Sequence, residues 1–244
     1  MTMDHERDVL TARALRVPLN ADHPDPEIVL DAASIIRQGG LVAYPTETFY
    51  GLAVDPFNAA AVERLFLVKG RPAGSPLILL VARVGQVFDV AQVPRGARTW
   101  FDKLTSVFWP GPLTLVLPAR RGLRCPALAG GDTVAVRLSP HATAWRLAQT
   151  VGSPITSTSA NPAGGAPATR ADAIDPQLAA RLDLILDAGP TPGGPASTLL
   201  DLTGARPVIR REGPIDAARI AAVIPVRPLI AAVAYNAPAT AEAR

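Results

Sequence analysis

The feature that most constrains the fold is a regular alternation of short apolar runs with amphipathic helical segments along the 244-residue chain. Short apolar runs bounded by turn residues are typical of buried strands, and they fall at residues 41–44, 77–82, 113–117, 133–138, 154–157 and 184–186. Strands that alternate with helices predict an α/β fold in which helices cover a sheet. Residues 197–202 and 207–211 are joined by a short turn, so we expect an antiparallel hairpin and a twisted mixed sheet.

Capping residues mark the ends of the predicted helices. Asp25 and Pro26 are expected to begin a helix that Gly39 ends, and Asn58 is expected to cap a helix that ends at Gly70. Helical periodicity recurs at residues 140–150, at residues 171–182, and around an apolar face of Trp100, Leu104, Val107 and Phe108. The predicted loops are residues 45–51 and 161–167.

These elements predict one domain, residues 25–219, between two terminal segments. Residues 1–24 are interpreted as an N-terminal arm, and residues 220–244 as a C-terminal tail. Three alternatives stay open for the tail: a strand packed on the domain, a disordered end, or a mobile lid that excludes water from a ligand site.

Composition and charge narrow the class of protein. Apolar residues make up 48% of the chain and charged residues 18%, which suits a globular core. A net charge of +3 does not indicate a nucleic-acid-binding protein, although weak RNA binding stays open. The single cysteine, Cys125, allows no internal disulfide, and no signal peptide or spanning segment of about 20 apolar residues is present. We therefore expect a cytoplasmic protein that is not bound to a membrane.

Several common catalytic motifs are absent from the sequence. Neither a G-x-G-x-x-G turn after a strand, nor a P-loop, nor the nucleophile elbow of serine hydrolases occurs. The three histidines lack the spacing of metal ligands, so no metal site is predicted.

Polar residues instead cluster directly after the apolar segments, which is where open α/β sheets bind ligands. The clusters are residues 45–51, residues 69–75, residues 156–161, and residues 197–198 with Arg210 and Arg211. Only two of the 24 basic residues are lysines, and one of them is Lys69, next to Arg71. A lysine retained among arginines suits a compact positive charge on a phosphate. The alternative is that both residues only complement the dipole of the preceding helix.

The run from Thr156 to Asn161 contains four residues with hydroxyl groups, and side chains this polar do not suit a hydrophobic core. Alternation along a strand predicts that Ser157, Ser159 and Asn161 point to one side, where they could donate to phosphate or carboxylate oxygens. The alternative is an ordinary turn rich in Ser and Thr.

Taken together, these segments resemble the YrdC-like family, the L-threonylcarbamoyladenylate synthases, from about Ile28 to Pro214. The matching segments occur in the family's order: AYPTETFYGLAVDP, KGRP with SPLILLV, WPGPLTLVLP, DTVAVRL, TSTSAN, and STLLDL with IRREGPI. The K-x-R and S-x-N signatures of the family match Lys69 with Arg71 and Ser159 with Asn161. Many relatives carry Asn at the position of Ser75 and His at that of Leu80. The resemblance is to the short, single-domain form of the family.

The resemblance implies a fold, a reaction and residue roles. The implied fold is a twisted mixed sheet with flanking helices around a large basic cavity. The implied reaction joins L-threonine, bicarbonate and ATP into threonylcarbamoyl-AMP, with release of pyrophosphate, for the N6-threonylcarbamoyladenosine modification of tRNA. The positions that match the threonine site are Thr48, Arg137, Ser157 and Ser197. The positions that match the ATP site are Lys69, Arg71, Ser75, Thr133, Ser159, Asn161 and Arg211, of which Lys69, Arg71, Ser159 and Asn161 are expected to be catalytic.

The reaction also implies partners. Mg²⁺ is expected to arrive with ATP as part of the substrate, because no carboxylate cluster predicts a metal site of the protein. No tightly bound organic cofactor is expected, and a tRNA threonylcarbamoyl transferase is the expected downstream partner. Two alternatives remain at this point: a non-enzymatic RNA-binding module of the same fold, and a paralogue that transfers the carbamoyl-adenylate to a different acceptor.

Overall fold

The computed structural model describes residues 14–72 and 74–226, whose strands form two mixed sheets, one of five strands and one of six. In the first sheet the strand order is β1-β9-β2-β3-β8. Its strands are β1 (Leu15–Pro18), β2 (Val42–Pro45), β3 (Tyr50–Ala53), β8 (Thr158–Ser159) and β9 (Leu184–Asp187). The β1–β9 and β9–β2 pairs are parallel, whereas β2–β3 and β3–β8 are antiparallel.

In the second sheet the strand order is β11-β10-β5-β6-β4-β7. Its strands are β4 (Ile78–Leu80), β5 (Leu113–Pro118), β6 (Thr133–Arg137), β7 (Ile155–Thr156), β10 (Thr198–Asp201) and β11 (Val208–Arg211). The β10–β11 hairpin is antiparallel, as the sequence predicts, and β10–β5 and β4–β6 are parallel. The mixed α/β fold is confirmed, with its strands divided between two sheets.

The helices begin and end at residues that the sequence marks. In α1 (Pro26–Arg37) the Asp25 side chain accepts a hydrogen bond from the Glu27 amide, and in α2 (Ala59–Lys69) Asn58 accepts one from the Ala61 amide. Gly70 ends α2 in the left-handed conformation, with φ of 59°, which costs glycine little. The remaining described α-helices are α3 (Val87–Val90), α4 (Arg98–Phe108), α5 (Ala142–Val151), α6 (Pro176–Ala179) and α7 (Ala217–Ala221).

Alternation along the strands gives the second sheet two different faces. One face contributes residues such as Leu115, Val136 and Leu200 to the main hydrophobic core. The opposite face carries only a small apolar cluster, in which Val116, Ala135 and Leu199 are buried and Ile78 packs against them. Polar and charged residues at the ends of the same strands extend this face into a cavity. The fold therefore leaves one sheet face available for a ligand.

Three sequence predictions about local structure are wrong. Residues 45–51 are not entirely loop, because Tyr50 and Gly51 begin β3, which pairs with β2. Residues 171–182 do not form one helix: a 3-10 turn, Ala171–Ala173, precedes the short α6, and Asp175 and Pro176 begin a new cap between them. Val107 does not belong to the buried face of α4, since it is 58% exposed and Phe101 is buried instead.

The predicted tail begins within the described structure. Ile220 and Ile224 are buried in the main core, so this part of the tail packs on the domain. The lid alternative covers residues 220–244, of which residues 227–244 lie outside the described residues, as does most of the predicted arm, residues 1–13. No helix in the described part of the chain is long and apolar enough to cross a membrane.

Candidate active site

A cavity of about 420 Å³ lies between the two sheets, and both sheets contribute to its lining. The first sheet supplies residues of the β2–β3 connection, namely Thr46, Thr48, Phe49, Tyr50 and Gly51. The second supplies Ile78, Arg137, Leu199, Arg210 and Arg211, together with Ala196 and Ser197 before β10. The segment between β7 and β8 adds Ser157, Thr158 and Ser159, and the loop after α2 adds Arg71 and Pro76.

Positive charge dominates the lining of this cavity among the described residues. Four arginines, Arg71, Arg137, Arg210 and Arg211, line it, without an aspartate or glutamate among the described lining residues. Burial and the nearby positive charge of Arg137 lower the pKa of Arg211 below its usual value. An anion between these guanidinium groups would relieve their mutual repulsion. The site therefore suits an anionic ligand.

The hydroxyl residues of the 156–161 run reach the cavity because the chain crosses from one sheet to the other there. Thr156 ends β7 and is fixed by two hydrogen bonds: its Oγ1 donates to the Leu52 carbonyl and accepts from the Val54 amide, each at 3.0 Å. Past this point Ser157, Thr158 and Ser159 all line the cavity. The predicted alternation, which would turn Thr158 away, is therefore wrong, since no continuous strand spans the run.

Ser197 and Arg211 are held together at one end of the cavity. The guanidinium of Arg211 donates to the Ser197 carbonyl at 2.8 Å and 3.1 Å, and to its Oγ at 3.3 Å. Ser197 Oγ also shares a hydrogen bond of 2.8 Å with Thr114 Oγ1. The neighbouring Arg210 is paired with Asp201 at 2.8 Å. These contacts hold the two arginines of the β10–β11 hairpin, both of which line the cavity, in fixed positions.

Thr46 and Thr48 lie in the turn between β2 and β3. Thr46 Oγ1 donates to the Phe49 carbonyl at 2.7 Å and lies 3.2 Å from Thr48 Oγ1. These bonds close the turn, and both threonines line the cavity. On the adjoining strand β2, Tyr44 donates to the Thr156 carbonyl at 3.2 Å, and burial raises the pKa of Tyr44 to about 12. Tyr44 therefore stays a neutral donor that links β2 to β7.

Lys69 and Asn161 lie beside the cavity but are not among its described lining residues. Lys69 is 4% exposed, and its Nζ atom donates to the carbonyl of Ser159 at 2.5 Å and to that of Asn161 at 2.7 Å. Burial and the nearby Arg71 lower the pKa of Lys69 to about 8. Asn161 Nδ2 donates to the carbonyls of Pro162 and Gly165, while its Oδ1 is buried without a hydrogen bond. Both side chains hold the loop that follows β8.

The remaining predicted site residues differ in position. Arg71 lines the cavity, with Nη2 at 3.2 Å from the Pro76 carbonyl and Nη1 at 3.5 Å from Thr158 Oγ1. Ser75 and Thr133 are partly buried and are not among the described lining residues. Thr133 begins β6, four positions before Arg137, so it lies toward the far end of the same sheet face.

Sequence reasoning missed Glu47, although it stands between the two cavity threonines. Its Oε2 accepts a hydrogen bond of 2.5 Å from Ser139 Oγ, and its Oε1 lies 3.3 Å from Arg137 Nη1. Only its position in the turn could have pointed to it, because both partners lie about 90 residues further along the chain. No group of three or more potential metal ligands of the His, Cys, Asp and Glu types occurs in the described part of the chain.

Comparisons with known proteins agree with this geometry. Residues 34–213 match the family model Sua5_yciO_yrdC, which is described as telomere recombination. The chain is 39% identical over 202 residues to a threonylcarbamoyl-AMP synthase of Bacillus subtilis, covering 82% of this chain and 57% of that protein. It is 41% identical over 194 residues to a threonylcarbamoyl-AMP synthase of Pyrococcus abyssi, covering 79% of this chain and 56% of that protein. The chain thus spans a little over half the length of these two curated relatives.

A solved structure shares the fold over most of the chain. The structure of P. abyssi Sua5 complexed with L-threonine superposes with a TM-score of 0.77 at 35% identity. The superposition covers 88% of this chain and 63% of that one.

Proposed function

The chain belongs to the Sua5/YciO/YrdC family, and from this premise we propose that it forms L-threonylcarbamoyl-AMP and pyrophosphate from L-threonine, bicarbonate and ATP. The observation that carries the proposal is the cavity between the sheets, which combines four arginines with a row of hydroxyl groups. Three anionic groups must meet in this reaction: a carboxylate, a carbamate and a triphosphate. The names of the relatives support the same activity.

The amino-acid end of the proposed site consists of Thr48, Arg137, Ser157 and Ser197. All four line the cavity, and Arg137 is only 5% exposed, so its charge acts where water is largely excluded. We assign the threonine carboxylate to the Arg137 guanidinium, because charge-assisted hydrogen bonds of this kind are strong. The hydroxyl groups of Thr48 and Ser157 are assigned to the polar groups of threonine. Ser197 completes this end through its bonds to Arg211 and Thr114.

The nucleotide end consists of Arg71, Ser159 and Arg211, with support from Lys69 and Asn161. Arg71 and Arg211 are assigned to phosphate oxygens and Ser159 to orienting the triphosphate. Lys69 adds a positive charge directly behind Ser159, to whose carbonyl it is bonded. Asn161 shapes the adjacent loop. Ser75 and Thr133, which the resemblance also assigns to ATP, are proposed at the periphery of this end, and Mg²⁺ enters with the nucleotide.

The proposed chemistry has two steps. The neutral threonine amine attacks CO₂ to form a C–N bond, and the adduct releases a proton to give the carbamate. With bicarbonate as the carbon source the same carbamate forms with loss of a water molecule. A carbamate oxygen then attacks the α-phosphorus of ATP, and the bond from that phosphorus to the bridging oxygen of pyrophosphate breaks. Negative charge builds up on phosphate oxygens in the second step, so fixed cations and donors supply most of the catalysis. Holding the carbamate and ATP together contributes further, because it reduces the entropic cost of reaching the transition state.

The partners of this function follow from its product. Threonylcarbamoyl-AMP is an activated acyl donor, and we propose a tRNA threonylcarbamoyl transferase as its consumer, in the cytoplasm where ATP and tRNA are available. RNA binding by this chain itself is proposed to be weak. A cavity of about 420 Å³ accommodates small molecules of nucleotide size rather than a structured RNA.

The test is release of pyrophosphate by the purified protein. Release should require ATP, L-threonine and bicarbonate together, so that omission of any one abolishes it. Arg71→Ala should lose most of the activity and keep a native thermal melt, because Arg71 is on a loop. Release that does not depend on threonine, or full activity in Arg71→Ala, would overturn the proposal or the role of Arg71 respectively.

A further inference from the structure

Glu47 forms a bridge between the two sheets at the amino-acid end of the cavity. It lies in the β2–β3 turn of the first sheet, between Thr46 and Thr48. Its two partners belong to the second sheet and the segment that follows it: Arg137 is the last residue of β6, and Ser139 comes two residues later. The side chains of Glu47 and Arg137 are 14% and 7% exposed, so this ion pair is shielded from solvent.

The two oxygens of Glu47 make different contacts. Oε2 accepts the 2.5 Å hydrogen bond from Ser139 Oγ, and Ser139 Oγ in turn accepts from the His141 amide at 3.2 Å. Oε1 lies 3.3 Å from Arg137 Nη1 without hydrogen-bond alignment. Arg137 Nε is buried and makes no hydrogen bond. Glu47 thus restrains the guanidinium through charge without using up its donors.

The position of Glu47 argues against a direct chemical role. Thr46, Thr48 and Arg137 line the cavity, but Glu47 is not among the described lining residues, so it lies behind them. Side chains that contact substrate do so from elements whose relative placement must be held to a fraction of an ångström. Thr48 and Arg137 come from different sheets, and Glu47 is the charged contact that joins their two segments.

We propose that Glu47 is a positioning residue for the amino-acid subsite, which fixes Arg137 relative to the Thr46–Thr48 turn so that one ligand carboxylate and one ligand hydroxyl are bound together. This inference rests on the proposed function, because the ligand it concerns is L-threonine. It assigns to Glu47 no contact with the nucleotide. A change at Glu47 therefore weakens binding of the amino acid and leaves binding of ATP nearly unchanged.

The experiment measures the Kd for L-threonine and for a non-hydrolysable ATP analogue by titration calorimetry. Glu47→Gln retains the shape of the side chain and an acceptor for Ser139, but loses the charge on Arg137. We expect threonine binding about tenfold weaker or more, which is the usual size of a charge-assisted contact, with the Kd for the analogue within about twofold of wild type. Glu63→Gln is the matched control, because Glu63 is exposed on α2, and it should bind both ligands as the wild type does.

A second pair of variants shows whether Glu47 acts through Arg137. Ser139→Ala removes one contact of Glu47 without touching Arg137, and should weaken threonine binding in the same direction by a smaller factor. In an Arg137→Lys background, Glu47→Gln should raise the Kd for threonine by a clearly smaller factor than it does in the wild type. The reason is that the effects of substitutions at two residues that act together are not additive. Thermal melts of all variants report folding separately. If Glu47→Gln does not fold, Ser139→Ala carries the test.

The outcomes separate this inference from the proposed function. If the wild type does not bind L-threonine, the proposed function is wrong and the inference fails with it. If the wild type binds threonine and folded Glu47→Gln, or folded Ser139→Ala in its place, binds it equally well, only the inference is wrong. The inference is also wrong if Glu47→Gln weakens threonine binding by the same factor in the wild-type and Arg137→Lys backgrounds. It is equally wrong if Glu47→Gln weakens binding of threonine and of the ATP analogue by the same factor.

Discussion

Lys69 Nζ donates a hydrogen bond of 2.5 Å to the backbone carbonyl of Ser159, which ties the end of α2 to β8, whose Ser159 lines the cavity. The same nitrogen donates to the Asn161 carbonyl at 2.7 Å, and the Lys69 carbonyl accepts from the Ala163 amide at 2.7 Å. One residue thus holds the loop after β8 through both its side chain and its backbone. The position of Lys69 at the end of a helix predicts a side chain outside the core, and this prediction is wrong, because Lys69 is 4% exposed.

This relationship predicts a combined loss of stability and activity in Lys69→Met. Methionine fills a similar volume but leaves two carbonyl groups without their donor, which should lower the free energy of unfolding by roughly 2 kcal/mol. Pyrophosphate release should fall strongly, because Ser159 loses its support. Urea unfolding and the release assay measure the two effects. Lys103→Met, at the exposed lysine of α4, is the control and should change neither; unchanged stability in Lys69→Met would contradict the structural role.

A pH dependence of stability is predicted from His141, the residue that caps α5. Its Nδ1 accepts a hydrogen bond from the Thr143 amide at 3.2 Å, which requires the neutral ring. Burial lowers the pKa of His141 below 6.5, although Glu47 and Asp22 oppose the shift. A group with a lowered folded-state pKa takes up protons more readily when unfolded, so stability should fall as the pH drops below about 6.5.

Urea unfolding at pH 7.5 and pH 5.5 checks this prediction. His141→Asn keeps a capping side chain that does not titrate, so the loss of stability between the two pH values should be smaller than in the wild type. His23→Asn is the control, because His23 is exposed and its replacement should leave the pH dependence as it is. An identical pH dependence in His141→Asn and in the wild type would exclude His141 as the cause.

The amino-acid end that we propose for the cavity predicts selectivity for threonine over valine. A site built to bind a hydroxyl group rejects the analogue without one, because its own buried polar groups then lack partners. We expect kcat/KM for threonine to exceed that for valine by at least about a hundredfold, with serine intermediate. Thr48→Val should reduce the ratio of kcat/KM for threonine to kcat/KM for valine, because it should lower kcat/KM for threonine and leave that for valine unchanged. Comparable pyrophosphate release with threonine and valine would show that no hydroxyl group is recognised.

The absence of a side chain at Gly213 lets the chain after β11 pass close to the backbone around Ser197, at the edge of the cavity. A Cβ atom at this position would lie 2.5 Å from the Thr198 amide nitrogen and would also collide with the Ala196 carbonyl, on either side of Ser197. Gly213→Ala should therefore destabilise the fold by about 1–3 kcal/mol and lower activity. Gly204→Ala is the matched control in the same hairpin, since the nearest atom there is 3.8 Å away. Equal thermal melts for the two variants would refute the steric argument.

The features that the sequence predicts best are those determined by contacts between residues close together in the chain. Asp25, Asn58 and Gly70 mark helix ends because capping involves neighbours a few residues away, and each does so in the structure. The β10–β11 hairpin was predictable for the same reason. The sequence showed that the run from Thr156 to Asn161 is unusually polar. It did not predict that the chain crosses from one sheet to the other within this run. Strands of two residues are too short for alternation to identify.

Long-range contacts explain the rest of what sequence reasoning missed. The partner of Glu47 at Ser139 and the partners of Lys69 at Ser159 and Asn161 are each about 90 residues away. No local pattern encodes such pairs, because they depend on how the two sheets are placed. Seven predicted positions line the cavity: Thr48, Arg71, Arg137, Ser157, Ser159, Ser197 and Arg211. Their roles toward ligands remain predictions.

The most direct test of the central claim is the identity of the product. The purified protein is incubated with ATP, Mg²⁺, ¹³C-labelled bicarbonate and ¹⁵N-labelled L-threonine, and the mixture is analysed by liquid chromatography and mass spectrometry. The account predicts threonylcarbamoyl-AMP that contains both labels, formed together with an equal amount of pyrophosphate, and its disappearance in Arg137→Ala. Conversion of ATP without a doubly labelled adenylate, by an enzyme that is folded and binds both substrates, would contradict the account.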